Sequence, residues 1–452
     1  MSGLAELLVN LGYAVRGSDV SVSEVTDRLV RLGVDVAVGH APDQVGNADV
    51  VVVSSAIRPD NPEVLEARRR RIPVIPRAEM LAELMRLRYG IAVAGAHGKT
   101  STTSMIALGL ERAGLDPTAV IGGRLAAFGS NARLGTGRYM VAEADESDRS
   151  FLLLTPTIAV ITNLDREHLE SYGGFDDLRQ AFVDFANKVP FYGAVVACAD
   201  DPALAPLLPR LTRPVRTYGF GEGAVDVRGS DVELEGFGSR CRVRFRTPHE
   251  REEWHTGELR LQVPGRHSLL NAMAALAVGL EVGVPFERFA AALAGFTGVE
   301  RRFQLKGEVA GVMVVDDYGH HPTEIAAVLE AARAGFGRRL LVVFQPHRYT
   351  RTQQLAPEFG AALATADEIV LTDVYAAAET PMPGVTVDLI ADAVRRAAAR
   401  PRLHVVKALD DVPPAVARLA KPGDLVLVLG AGSIGGIVGR ILAELRSPRA
   451  AK

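Results

Sequence analysis

Residues 89–110 read YGIAVAGAHGKTSTTSMIALGL. A short apolar run leads into the turn Gly95-Ala96-His97-Gly98-Lys99-Thr100, and small residues with a helical pattern follow from Ser101. Strand, glycine turn and helix in that order form a phosphate loop. Backbone N–H groups around Gly95 to Gly98 can face oxyanions, Lys99 can neutralise β and γ phosphates, and the Thr100 hydroxyl can reach a magnesium ion at the helix start. The loop is a compressed version of the eight-residue pattern, because the residue five before Gly98 is Val93 rather than glycine. The expected ligand is a nucleoside triphosphate.

A magnesium-phosphate site needs further oxygen ligands, and two other segments offer them. RYMVAEADESD (138–148) is an apolar strand that runs out into Glu143, Asp145, Glu146 and Asp148. ITNLDREHLESYG (161–173) closes another apolar run with Asn163, Asp165, Glu167 and His168. Parallel strands bring their C-terminal ends to one edge, so these groups converge on the loop if the strands share its sheet.

The rest of the chain has the same rhythm. Residues 1–88 alternate short apolar runs with helical patterns around 3–11, 24–32 and 61–70; residues 299–452 repeat it with GVMVVDDYG, RRLLVVFQPH, DEIVLTDVY, RLHVVKAL and DLVLVLGAG. Between them, 220–262 reads as short alternating strands at a sheet edge, and a helix over 268–281 follows. The expected fold is α/β, with three domains in series at 1–88, 89–298 and 299–452. GAGSIGG (430–436) imitates a dinucleotide fingerprint but sits too near the end for a second βαβ half, and reads as a tight turn after the last strand.

Composition narrows the partners. With 51 basic and 54 acidic residues the net charge is −3, so no basic field argues for nucleic acid. Cys198 and Cys241 are the only cysteines and have no metal-ligand spacing. No run approaches the ~18 apolar residues of a membrane span, and no leader pattern opens the chain. The expected compartment is the cytoplasm and the expected partners are small molecules.

Taken in order, HGKTSTTSM, AEADESD, ITNLDREHLE, GRHSLLNAMAA, RRF, DDYGHHPTEI and FQPHRYTRT resemble the Mur ligases of peptidoglycan synthesis over essentially all 452 residues. The resemblance implies a Rossmann-like N-terminal domain for a UDP-sugar, a central phosphate-loop ATPase domain and a Rossmann-like C-terminal domain for the incoming amino acid. Within the family the motifs are most similar to the member that uses ATP to join L-alanine to the lactyl carboxylate of UDP-N-acetylmuramate through an acyl phosphate. ATP and Mg2+ (or Mn2+) are then the implied cofactors. Lys99, Glu143, His168 and Arg302 are the implied catalytic residues, with Thr100, Glu143 and His168 on the metal. Gly95, His97, Gly98, Lys99, Thr100, Ser101, His267, Asn271 and Asp317 would hold the nucleotide, Asp317 at its ribose. Tyr318, His320, His347, Arg348 and Arg351 would line the substrate side, with arginine forks suited to the alanine carboxylate. His320 and His321 also read as a helix-start turn before Pro322.

Other readings share some of these motifs. A related ligase that recycles a tripeptide onto the same sugar nucleotide has similar architecture. An inactive UDP-sugar or nucleotide-binding regulator would lack the phosphate and metal residues that are present here, and a plain ATPase or kinase would need no amino acid. The family's opening strand and glycine-rich loop have no counterpart before Met1-Ser2-Gly3, and the expectation is weaker UDP-sugar binding in this chain. A monomer and a homodimer are both compatible with the alanine-rich helices of the last domain.

Overall fold

The computed structural model describes residues 1–446 other than 55, 126–129, 224, 249, 251 and 398–400. The chain divides into two compact units. One comprises Met1–Asp231, Cys241–Leu259 and Leu270–Phe296, and the other Val232–Arg240, Arg260–Leu269 and Thr297–Lys452.

In the first unit the phosphate-loop strand Tyr89–Ala94 lies between Tyr139–Glu143 and Ile158–Ile161, parallel to both. Ala194–Cys198 and Val215–Gly219 continue the parallel run within a ten-stranded sheet. Ile91 to Ala94, Val141, Ala142 and Ile158 to Val160 are fully buried, as a parallel sheet covered on both faces requires. Residues 220–262 form Val227–Glu235, Gly238–Phe245 and His255–Leu261 at one sheet edge, where the alternating pattern placed them. The opposite edge is the antiparallel pair Thr118–Leu125 and Ser130–Arg133.

The small residues after the loop have a packing role. Gly109, in the helix Lys99–Arg112, lies against Phe289, whose ring would stand 2.2 Å from an added Cβ. Gly279 meets the same ring, at 2.4 Å from an added Cβ. An alanine at either position overpacks this contact at about 1–3 kcal/mol. Residues 1–88 carry two separate two-stranded parallel sheets, Arg16–Asp19 with Asp35–Val38 and Val51–Val53 with Val74–Pro76.

The second unit is built on a six-stranded sheet in the order Gln304–Val309, Val312–Asp317, Leu425–Leu429, Leu340–Phe344, Glu368–Leu371, Arg402–Val405. The last strand in sequence inserts between two earlier ones, so Asp317, Phe344 and Leu429 end side by side at one edge. That is a topological switch point, where open α/β sheets carry ligands. Gln304–Val309 is antiparallel to its neighbour and was not foreseen, because QLKGEV has no apolar alternation. The GAGSIGG turn leads into a short 3-10 segment and the helix Val438–Arg446. Cys198 and Cys241 are buried thiols. No helix among the described residues is long and apolar enough to cross a membrane.

Candidate active site

Two glycines shape the phosphate loop. Gly95 has φ +135°, and a Cβ there would stand 2.1 Å from Thr162 Oγ1; Gly98 has φ +81° and caps the following helix, with Asn271 Oδ1 2.5 Å from the place of a Cβ. The loop backbone is clamped by the next strand end. Asn163 Oδ1 accepts the His97 N–H at 2.8 Å, Asn163 Nδ2 donates to the His97 carbonyl at 3.0 Å, and Thr162 Oγ1 donates to the same carbonyl at 2.7 Å. The His97 ring meets Asp165 Oδ2 through Nε2 at 2.9 Å. Asn163 and Asp165, read from sequence as oxygen ligands for a metal, here hold the loop in shape.

Lys99 is partly buried beside acidic groups. Its ammonium donates to the Gly95 carbonyl at 2.6 Å and the Ala96 carbonyl at 3.2 Å, and to both oxygens of Glu146 at 2.8 and 2.9 Å. Burial alone would lower the Lys99 pKa, but Glu146, Asp145 and Glu143 outweigh it and hold the ammonium above its ordinary value. Burial pushes the Glu146 carboxyl up to about 7 against the pull of Lys99. Glu146, read from sequence as one of several oxygen donors, is seen here as the partner of Lys99. For Asp145, burial is offset by the Ser147 backbone N–H and by Lys99, and its pKa is lowered.

Glu143 ends its strand with Oε1 accepting the Gly122 N–H at 2.6 Å, which fixes the direction of the carboxylate. His168 adopts a left-handed backbone, φ +57°, at the start of the turn Leu169–Ser171. Its ring nitrogens lie 3.6 Å from Glu167 and 3.7 Å from Glu170. Thr100 and Ser101 occupy the first turn of the helix behind the loop.

The second unit gathers the remaining residues around Asp317. Its oxygens accept the Phe303 N–H at 2.7 Å and the Gly319 N–H at 2.6 Å, in a side chain buried to 4% exposure. Sequence reading assigned this carboxylate to a ribose; the structure also makes it the brace of the turn that carries Arg302. Glu324 extends the brace. It accepts the His320 N–H at 3.0 Å, pairs with Arg302 at 3.5 Å, and completes the capping box with His321 at the start of the helix Pro322–Phe336. The helix-start reading of His320-His321-Pro322 is thus realised, and Glu324, which sequence reasoning passed over, was legible as the fourth residue of that box. Tyr318 is flanked by the Arg301 and Arg302 guanidinium groups, each 5.3 Å from its ring centre.

Rings continue from there. Tyr318 meets His320, His320 meets His347, and His347 stacks on Tyr375 at 5.6 Å between centroids. Arg351, 8% exposed, reaches His347 Nδ1 at 3.2 Å, and Arg348 takes φ +72° to start the helix Tyr349–Gln354. Glu379 closes that helix start by accepting the Tyr349 N–H at 2.7 Å. Tyr375 and Glu379 had no sequence signal, because they arrive from a loop about thirty residues away.

His267 and Asn271 lie one turn apart on the helix Arg266–Glu281. Burial, aided by Arg302, pushes the His267 pKa down to about 4; burial, with His320 and two arginines, does the same for His347, also to about 4. Both rings are neutral at pH 7. Between pH 6.5 and about 4 the native protein binds fewer protons at these rings than the unfolded chain, so they reduce stability as pH falls through that window. Histidine NMR should find both titrating near pH 4, and Arg302→Met should raise His267 only part of the way to its ordinary value, because burial is the larger cause and persists.

Models of known families cover most of the chain. Residues 1–89 match the Mur ligase family catalytic domain, 93–279 the Mur ligase middle domain, and 301–432 the Mur ligase glutamate ligase domain. The chain belongs to the Mur ligase family. It is 53% identical to the UDP-N-acetylmuramate–L-alanine ligase of Geobacter sp. strain M21, over 99% of this chain and 96% of that protein. Identity is 54% to the protein of the same name from Anaeromyxobacter dehalogenans 2CP-C, over 98% and 95% of the two chains. Among solved structures, the UDP-N-acetylmuramate-alanine ligase of Thermotoga maritima superposes with a TM-score of 0.81 at 29% identity, covering 99% of this Mur ligase and 97% of that chain. A murein peptide ligase from Psychrobacter arcticus gives 0.72 at 26% identity, covering 100% and 97%. The fold of this Mur ligase is thus the Rossmann-like, ATPase and Rossmann-like series.

Proposed function

We propose that this Mur ligase joins L-alanine to the lactyl carboxylate of UDP-N-acetylmuramate, with ATP converted to ADP and phosphate. The observation that carries the reading is Lys99, a partly buried, charged ammonium in a clamped phosphate loop, with Glu143 on an adjoining strand end and His168 in the segment that follows the other. The strong likeness to L-alanine ligases over nearly the whole chain supports the substrate assignment. In this reading the three domains are 1–88, 89–298 and 299–452.

In this reading Lys99 and the loop N–H groups of Gly95 to Gly98 offset the charge that separates a carboxylate from ATP, which otherwise repel. Thr100, Glu143 and His168 offer a hydroxyl, a carboxylate and an imidazole, a hard and mostly oxygen set suited to Mg2+ or Mn2+. The ion supplies charge neutralisation of the transferred phosphate when bound. His267, neutral at pH 7, serves the nucleoside with Asn271 and Asp317. Arg302 stabilises the transferred phosphate, and Arg348 and Arg351 hold the amino-acid carboxylate beside Tyr318, His320 and His347. The carboxylate attacks the γ phosphorus and ADP leaves; the alanine amine then attacks the acyl phosphate and phosphate leaves.

The test is ADP release with ATP and Mg2+, adding the sugar nucleotide and L-alanine separately and together. Fast release should require both and yield one UDP-N-acetylmuramoyl-L-alanine per ADP. Release with ATP alone would make the protein an ATPase, and turnover with a murein tripeptide but not L-alanine would move it to the recycling ligase. Glycine and serine arms matter too, since one methyl group supplies only about 1–3 kcal/mol of discrimination.

A further inference from the structure

We propose that Glu146 is an internal anion that occupies Lys99 until a nucleotide phosphate displaces it, and that this exchange sets the affinity of the site for nucleotide. The inference rests on the reading of Lys99 as the phosphate-binding lysine. An ammonium has three N–H donors. The Gly95 carbonyl at 2.6 Å, the Ala96 carbonyl at 3.2 Å and the Glu146 oxygens at 2.8 and 2.9 Å already account for all of them. A phosphate oxygen can bind Lys99 only by taking one of these places.

The carbonyls are poor candidates to yield. They belong to the loop backbone that Asn163 and Thr162 clamp at 2.7–3.1 Å. Glu146 holds Lys99 through its side chain alone, while its own carbonyl accepts the Tyr172 hydroxyl, so its carboxylate can turn away with the main chain in place. The carboxylate is also, among the described residues, the one anionic acceptor on the ammonium, 3% exposed, and a polyphosphate arriving beside it meets like charge. Phosphate therefore replaces Glu146 and leaves the loop carbonyls alone. Glu146 is a positioning residue in this account: it keeps Lys99 ordered and paired, and lowers nucleotide affinity in proportion to its grip.

The experiment is calorimetric titration of the full chain with ADP and with the β,γ-imido analogue of ATP, in Mg2+ and without sugar nucleotide or amino acid. Glu146→Gln keeps the size and an acceptor oxygen but removes the charge, and should bind both nucleotides about tenfold more tightly. In turnover the same variant should show a lower KM for ATP, whereas structural damage would raise it. Glu146→Asp, one methylene shorter, should fall between wild type and Gln, and serves if the Gln variant does not fold. Lys99→Met should lose most of the affinity, and adding Glu146→Gln to it should restore none. Equal or weaker binding by Glu146→Gln, with Lys99→Met weakened, overturns the exchange but leaves the Lys99 reading standing. Tightening by Glu146→Gln in the Lys99→Met background overturns it in favour of a general field effect. Unchanged affinity in Lys99→Met overturns the Lys99 reading itself.

Discussion

Lys99→Met should reduce kcat/KM for ATP by about a thousandfold or more, the largest single effect expected in this protein. A preorganised cation on a transferring phosphoryl group contributes on the order of 4 kcal/mol to the barrier, about three powers of ten in rate. In this site the ammonium is partly buried and held by two loop carbonyls as well as Glu146, so its position is fixed before nucleotide arrives. The substitution also strands Glu146 in a buried position, and a carboxyl already pushed up to about 7 then takes a proton at neutral pH. Thermal melts should therefore show a moderate loss in Lys99→Met, recovered in the double variant with Glu146→Gln. Catalysis should stay absent in both, which separates the chemical role of the lysine from its structural one. Lys99→Arg keeps the charge without the compact shape and should retain only a small part of the activity. Single-turnover ADP formation with both substrates is the measurement; wild-type rates in Lys99→Met would remove the phosphate-loop mechanism.

Asp317→Asn should cost about 2–3 kcal/mol of stability in the second unit and lower kcat/KM about a hundredfold. Arg301 and Phe303 have φ +57° and +43°, two non-glycine residues in the left-handed region within the segment that carries Arg302. Each such residue persists only where its surroundings over-determine it, at roughly 1 kcal/mol or more. The surroundings here are specific. Asp317 accepts the Phe303 N–H, the Arg301 carbonyl accepts the Tyr318 N–H at 2.7 Å, and Gln304 Oε1 accepts the Arg301 N–H at 3.1 Å. An amide in place of the carboxylate must turn its NH2 toward one of two backbone N–H groups, leaving a buried donor unpaired. The turn then relaxes and Arg302 loses its aim. Urea midpoints and steady-state kinetics test this together, and a rise in KM for ATP with stability intact would reduce Asp317 to a ribose contact alone.

The strand ends show how far the sequence carried. Tyr89–Ala94, Tyr139–Glu143 and Ile158–Ile161 were visible as apolar runs ending in polar residues, and parallel pairing did bring them together. The converging strand ends were legible for that reason, because period and run length survive in the chain as written. The pairing of polar groups among those ends did not survive in it. Asn163 and Asp165, read as oxygen donors, are seen clamping the loop, and Glu146, read the same way, is seen on Lys99. Carboxylates and amides of the same reach are interchangeable on paper, and which one meets a given donor depends on ångström-scale placement across 47 to 68 residues of sequence separation.

The second unit repeats the lesson. His320-His321-Pro322 announced a helix start because capping is local, involving residues a few positions apart. Tyr375 and Glu379 were silent, since their partners His347 and Tyr349 lie about thirty residues away and only the order of the sheet brings the loops together. The sequence by itself determined the family, the phosphate loop, the parallel strands and the residues that meet at their ends. Only the tertiary structure decided which of those residues brace backbone and which hold one another, because hydrogen-bond partnership is set by distances of about 3 Å that no linear pattern encodes.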